Sequence, residues 1–131
     1  MKKQILFFLA MVMTSAIFAG TPVSTTKIEV YYFHFTRRCM TCQKVEKVSK
    51  NAVETLYAEK VKSGQVSFQS VNLDEKAGEA IGAKYKIEGQ TLIVIAGDKK
   101  VDLTDKGFLY ANDRPDKLKA EIKKAVDGLL K

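Results

Sequence analysis

The sequence predicts one α/β domain whose mixed sheet carries helices on both faces. Three runs have the character of strands. Residues 28–35 and 91–96 are apolar runs of the buried type, and residues 65–73 alternate apolar and polar side chains. A helix-patterned segment follows each of the first two runs, and a short edge strand at residues 100–103 follows the third across a tight turn. A parallel crossover followed by a hairpin is typical of such a mixed sheet.

The helical segments have recognisable ends. After the first strand, apolar residues recur at helical spacing up to about Lys62, and Gly64 is predicted to end that helix. Asp74 is predicted to cap a short second helix that ends near Ala83. The last segment is an amphipathic helix with Pro115 in its first turn, which completes the order β-α-β-α-β-β-α.

The first 19 residues have the pattern of an export signal. Lys2 and Lys3 precede an apolar run at residues 5–18, and small residues follow around Ala19. A retained membrane anchor is the alternative interpretation, but a bilayer span needs about 20 apolar residues and this run is shorter. We expect a signal peptide at 1–19, a flexible leader at 20–27, one domain at 28–131, and a periplasmic or secreted location.

Composition restricts the partners. The chain of 131 residues carries a net charge of +7, which falls to +5 without the two lysines of the predicted signal. Acidic residues interleave with the lysines at helical spacing, which is typical of solvated helix faces. No basic block with interleaved aromatic residues is present, so we expect no nucleic-acid partner.

The chemistry of the chain is concentrated in its only two cysteines, Cys39 and Cys42. They follow a strand and open a helix, whose free N–H groups and partial positive charge favour a thiolate. Arg37 and Arg38 add two positive charges beside the first thiol, and these charges also favour the thiolate. Each unit by which the pKa of that thiol falls corresponds to about 1.4 kcal/mol of preferential stabilisation of the thiolate. A structural disulfide is the alternative, but a bridge across two residues constrains little of the unfolded chain. The pattern favours a redox-active dithiol that needs no bound cofactor.

Two separated signatures resemble the thioredoxin-like superfamily. The first is the strand, Cys-x-x-Cys and helix at residues 28–60, and the second comprises residues 71–74, 83–89 and 91–94. The resemblance implies a three-layer thioredoxin-like sandwich and a thiol–disulfide oxidoreductase. It further implies that Cys39 attacks a disulfide of a partner protein and that Cys42 resolves the mixed disulfide.

Three positions depart from the thioredoxin pattern. Gln90 occupies the place of the usual cis-proline, and a normal trans bond is expected there. Phe33 replaces a buried acid, and Arg38 replaces a tryptophan. We assign Gln90, Thr91, Met40 and Thr41 to the substrate groove; an ordinary loop role for Gln90 is the alternative.

A narrower resemblance concerns small exported bacterial proteins described as subunits of a nitrophenyl-compound nitroreductase. It is carried by residues 31–43, 89–92 and 97–103. This resemblance implies a redox accessory that donates electrons for the reduction of nitroaromatic compounds. Exported relatives of thioredoxin imply recharging by a membrane electron carrier and favour a reductant, whereas the positive charges near Cys39 favour an oxidant.

Two further hypotheses remain open. His34, the only histidine, is either a general base for a thiol or a hydrogen-bonded residue on a face of the sheet, and the second is favoured. A non-catalytic accessory or metal module is the rival function, because two molecules sharing four thiolates have enough ligands for zinc or an iron–sulfur cluster. A single molecule lacks such a set, so we expect no metal site in one chain.

Overall fold

Four strands form one mixed sheet in the computed structural model, which describes residues 25–131. They are β1 (Ile28–His34), β2 (Val66–Asn72), β3 (Thr91–Ala96) and β4 (Lys99–Asp102). Their order across the sheet is β2-β1-β3-β4. Strands β1 and β2 are parallel, whereas β3 is antiparallel to both β1 and β4. The predicted crossover and hairpin are therefore confirmed. The predicted signal at 1–19 lies outside the described residues.

Five helices accompany the sheet in the described part of the chain. They are α1 (Met40–Leu56), α2 (Ala58–Lys62), α3 (Lys76–Tyr85), α4 (Thr104–Tyr110) and α5 (Pro115–Leu129). The predicted first helix is thus two helices, separated at Tyr57. The hydroxyl of Tyr57 donates a hydrogen bond of 2.6 Å to Asp127 Oδ1 on α5, which holds this residue in place.

The central strand β1 is buried on both faces. Val30 and Tyr32 pack in the larger apolar cluster with residues of α1 and α5. Tyr31 and Phe33 pack in a second cluster, against which residues of α3 are placed. Alternation along the strand therefore puts helices on both sides of the sheet, as the nearly continuous apolar run predicts.

Helix α3 is not capped by Asp74, so that prediction is wrong. Its N-cap is Glu75, and no side chain caps it. The carboxylate of Asp74 instead accepts a hydrogen bond of 2.7 Å from the backbone N–H of Thr36. Asp74 therefore connects the loop after β2 to the loop that leads into the cysteine pair.

Helix α4 was not predicted from the sequence. It is short, has no side-chain cap at Leu103, and contains Gly107, which lies so close to α1 that an added Cβ would meet Val45 Cγ1 at 3.1 Å. Phe108 and Tyr110 pack against the main cluster, whereas Leu109 is exposed. No helix among residues 25–131 is long and apolar enough to cross a membrane.

Candidate dithiol active site

Cys39 and Cys42 form a disulfide at the N-terminus of α1. Strand β1 ends at His34, a short loop follows, and Cys39 is the N-cap of the helix. The two Cα atoms are 5.2 Å apart, within the normal range for a bridged pair. The structure therefore brings the predicted pair together where the strand–loop–helix pattern places it.

The two sulfur-bearing residues differ in accessibility. Cys39 is exposed, whereas Cys42 is 2% exposed and lies one turn further along α1. A partner from solvent can therefore reach Cys39 but not Cys42. This is the asymmetry that a nucleophile and a resolving thiol require.

The backbone at the helix N-terminus contacts the sulfur of Cys39. Cys39 adopts an extended conformation with φ −72° and ψ 167°, and its Sγ accepts the N–H of Cys42 at 3.2 Å. The first turn of α1 contains no acidic residue. In the reduced protein, we expect this N–H and the positive end of the helix to stabilise a thiolate on Cys39.

Of the two arginines beside the dithiol, only Arg38 has a carboxylate partner in the described part of the chain. Arg38 forms an ion pair with Glu46, and both side chains are 22% exposed. Burial raises the pKa of Glu46, but hydrogen bonds with Ser70 and Arg38 and the charges of Arg38 and His34 outweigh it, so the pKa is lowered. Arg37 is exposed. The charge of Arg38 is therefore shared with an acid that sequence reasoning missed.

His34 forms a polar cluster with Arg38, Glu46 and Ser70. Its Nδ1 lies 2.9 Å from the carbonyl oxygen of Phe35 and its Nε2 lies 2.8 Å from Ser70 Oγ. A carbonyl only accepts, so Nδ1 donates to Phe35. The Ser70 hydroxyl is within hydrogen-bonding reach of both His34 Nε2 and the carboxylate of Glu46, and its single proton serves one of them at a time. The favoured hypothesis, a hydrogen-bonded histidine on a sheet face, is confirmed.

Gln90 immediately precedes β3, and every peptide bond from residue 25 to 131 is trans, as expected at this position. Its Oε1 accepts a hydrogen bond of 3.5 Å from the hydroxyl of buried Tyr32. Burial raises the pKa of Tyr32 to about 12, so the phenol keeps its proton and remains a donor at neutral pH. The neighbouring Thr91 donates to the carbonyl oxygen of Gly89 at 2.9 Å. These contacts fix the loop; the groove roles of Gln90 and Thr91 remain predictions.

The residues between the cysteines face a loop that the sequence did not connect with them. Met40 is 79% exposed. The hydroxyl of Thr41 accepts a hydrogen bond of 2.9 Å from the side-chain amide of Asn112, in the loop between α4 and α5. The loop that follows the unpredicted helix α4 therefore lies beside the dithiol. Within residues 25–131, no group of three His, Cys, Asp or Glu side chains is placed to hold a metal ion.

Comparisons with known proteins bear on the fold. No protein-family model and no curated protein matches the chain. A solved structure of a malarial protein is similar, with 18% identity, a TM-score of 0.48, and coverage of 77% of this chain and 99% of that one. The Fasciola hepatica thioredoxin is similar at 22% identity, with a TM-score of 0.41 and coverage of 77% and 83%.

The germline-specific thioredoxin Deadhead of Drosophila melanogaster is similar at 19% identity, with a TM-score of 0.39. That match covers 58% of this chain and 65% of Deadhead. These likenesses concern the fold alone. The strand order, the reversed direction of β3 and the helices on both faces confirm the predicted thioredoxin-like α/β fold class.

Proposed function

We propose that this protein is a thiol–disulfide oxidoreductase that exchanges electrons with a partner protein through Cys39 and Cys42. One observation carries the proposal: an exposed sulfur at a helix N-cap is bonded to a buried sulfur one turn inward. The exposed sulfur is positioned to meet a partner, and the buried sulfur is positioned to complete the exchange.

The reaction that we propose conserves atoms and electrons. The Cys39 thiolate attacks one sulfur of a partner disulfide, so that a mixed disulfide forms and the other partner sulfur leaves as a thiolate. Cys42 then gives up its proton to the departed partner thiolate and attacks Cys39 Sγ, which forms the Cys39–Cys42 bond and releases the second partner sulfur as a thiolate that takes a proton from water. Two electrons pass to the partner, which ends as a dithiol, and the protein ends as a disulfide.

The direction that we propose is reduction of the partner. A stabilised thiolate raises the reduction potential and favours an oxidant. The ion pair between Arg38 and Glu46 supports the opposite direction, because the carboxylate offsets a positive charge that otherwise acts on the thiolate. The resemblance to exported reductants supports the same choice, with a membrane electron carrier as the source of electrons.

Two finer proposals depend on the sequence. The signal-like pattern at residues 1–19 supports action in the periplasm or outside the cell. The resemblance of residues 31–43 to nitroreductase subunits supports a partner that reduces nitroaromatic compounds. Purification of the nitroaromatic-reducing activity with and without this chain tests the second proposal directly.

The test of the main proposal is reduction of insulin disulfides by dithiothreitol, followed by turbidity. Wild-type protein is expected to accelerate the reaction, and both Cys39→Ser and Cys42→Ser are expected to lose the acceleration. The Cys42→Ser variant should additionally accumulate a mixed disulfide with insulin, visible on a non-reducing gel. If wild type behaves like buffer, the catalytic proposal fails. Zinc or iron in anaerobically purified protein would then favour the metal module.

A further inference from the structure

A basic groove lies on the outer surface between α1 and α5. It encloses about 250 Å³ and is lined by Lys44, Lys47, Val48, Asn51, Pro115 and Lys119. Val48 forms an apolar floor at 7% exposure. Three lysines therefore surround a shallow apolar surface, and no carboxylate lines it.

Within residues 25–131, the three lysines form no ion pair with an acidic residue. The ion pairs of this part of the chain involve Arg38 and other lysines, and none includes Lys44, Lys47 or Lys119. Asp113 lies in the loop before α5 and Asp116 in the first turn of α5, but neither lines the groove. The positive potential of the groove is therefore directed at solvent, where it attracts an anionic partner.

The face of α1 that lines the groove continues towards the dithiol. Met40, Lys44, Lys47 and Asn51 recur at spacings of three and four residues, so they share one face of α1. The hydrogen bond from Asn112 to Thr41 joins the loop before α5 to the residue between the cysteines. The wall formed by α5 therefore starts beside the dithiol.

Helix geometry gives the distance from Cys39 to the lysines of the groove. A rise of 1.5 Å per residue puts Lys44 about 8 Å and Asn51 about 18 Å beyond Cys39 along the helix axis. An extended peptide advances about 3.3 Å per residue. A segment bound in the groove with its cysteine at Cys39 thus places about its second to fifth neighbouring residues among the lysines.

We infer that the groove binds an acidic segment of the partner protein, with aspartate or glutamate two to five residues from the cysteine that Cys39 attacks. This inference rests on the proposed function and specifies the substrate class for it. Association is then accelerated by electrostatic attraction, and the preference is lost when salt screens the charges.

The test compares two disulfide-linked reporter peptides of equal length, one with glutamates and one with glutamines at those positions. Reduced wild type should reduce the glutamate peptide on the order of tenfold faster at low salt and at similar rates in 0.5 M salt, where screening is strong. The groove variant K44E/K47E/K119E should lose the preference. The matched variant K76E/K99E/K131E, which carries the same charge change on α3, β4 and the chain end, should retain most of it.

Equal rates for the two peptides with wild type at low salt would overturn the inference, as would an equal loss in the matched variant. Bis(2-hydroxyethyl) disulfide separates the two proposals, because it is small and uncharged. If wild type reduces it yet shows no peptide preference, only the groove inference fails; if Cys39→Ser reduces it as well as wild type, the proposed function fails.

A measurement on the wild-type protein alone tests the groove even if the charge-reversal variants fail to fold. A cysteine-free glutamate peptide added to the oxidised protein should shift the amide NMR signals of Lys44, Lys47 and Lys119. Shifts confined to other surfaces would contradict the groove, whatever the variants do.

Discussion

The guanidinium of Arg38 is paired with the carboxylate of Glu46, which stands four residues after Cys42 on α1. That spacing puts Cys42 and Glu46 on the same side of the helix, with Cβ atoms about 5–6 Å apart. The residue before the nucleophile is thereby connected to the turn after the resolving cysteine. We expect this pair to set how much positive charge acts on the dithiol.

The first prediction concerns the thiol of Cys39 in the reduced protein. Glu46→Gln removes a negative charge near the dithiol and frees Arg38, so the pKa of the Cys39 thiol should fall and the reduction potential should rise by about 30 mV. Arg38→Gln should change both quantities in the opposite direction. Equilibration with glutathione buffers measures the potential, and the pH dependence of alkylation measures the pKa.

Glu54→Gln is the matched control for that experiment. Glu54 also lies on α1 and is 3.9 Å from a lysine, but it is two turns further from the dithiol and largely exposed. It should leave both quantities unchanged. A rise in the Cys39 pKa on Glu46→Gln, or the same shift from Glu54→Gln, would refute a local role for the ion pair.

The second prediction concerns stability in acid. The pKa of Glu46 is lowered in the folded protein, so its contribution to the free energy of unfolding is fully present above the ordinary carboxyl pKa of about 4.3. That contribution is lost as the pH falls through the lowered value. Glu46→Gln should therefore cost about 1–2 kcal/mol at pH 7 and much less at pH 3. Urea unfolding at the two pH values measures the difference, and a cost that is independent of pH would contradict this account.

The third prediction tests the contact between α3 and β2. A Cβ on Gly78 would meet the backbone oxygen of Asn72 at 1.8 Å, whereas a Cβ on Gly128 would meet nothing within 4 Å. Gly78→Ala should cost 3 kcal/mol or more, roughly the scale of severe core strain, because the clash is with backbone. Gly128→Ala should be neutral or stabilise by about 0.5–1 kcal/mol, since alanine suits a helix better. Similar effects of the two changes on thermal unfolding would be inconsistent with the packing described.

Local sequence patterns were sufficient for the sheet and the dithiol. The strand, the two cysteines and the helix that position the site all lie between Ile28 and Leu56, so their pattern is visible in one stretch. The αL-prone Gly64, which has φ +80°, ends the helical segment as predicted. Pro115 begins α5 for the same kind of local reason, a fixed φ and no need for an N–H donor.

The polar cluster that contains His34, Ser70 and Glu46 depends on contacts between residues that are far apart in the sequence. Parallel pairing sets Ser70 opposite Tyr32 and so brings the serine hydroxyl to His34, 36 residues away. Asp74 and Thr36 are 38 residues apart, so the local sequence gives no sign of their contact and favours a capping role for Asp74 instead. Only the spacing of Glu46 from Cys42 offered an early signal, since residues four apart share a helix face.

The most direct test of the central claim is the pH dependence of iodoacetamide alkylation of the reduced protein, resolved by mass spectrometry for each cysteine. Cys39 should react first, with a midpoint at least one unit below the ordinary thiol value of about 8.5, while Cys42 remains protected. Equal alkylation of both cysteines, or a Cys39 midpoint at or above the ordinary value, would contradict the account of an exposed, stabilised thiolate backed by a buried partner.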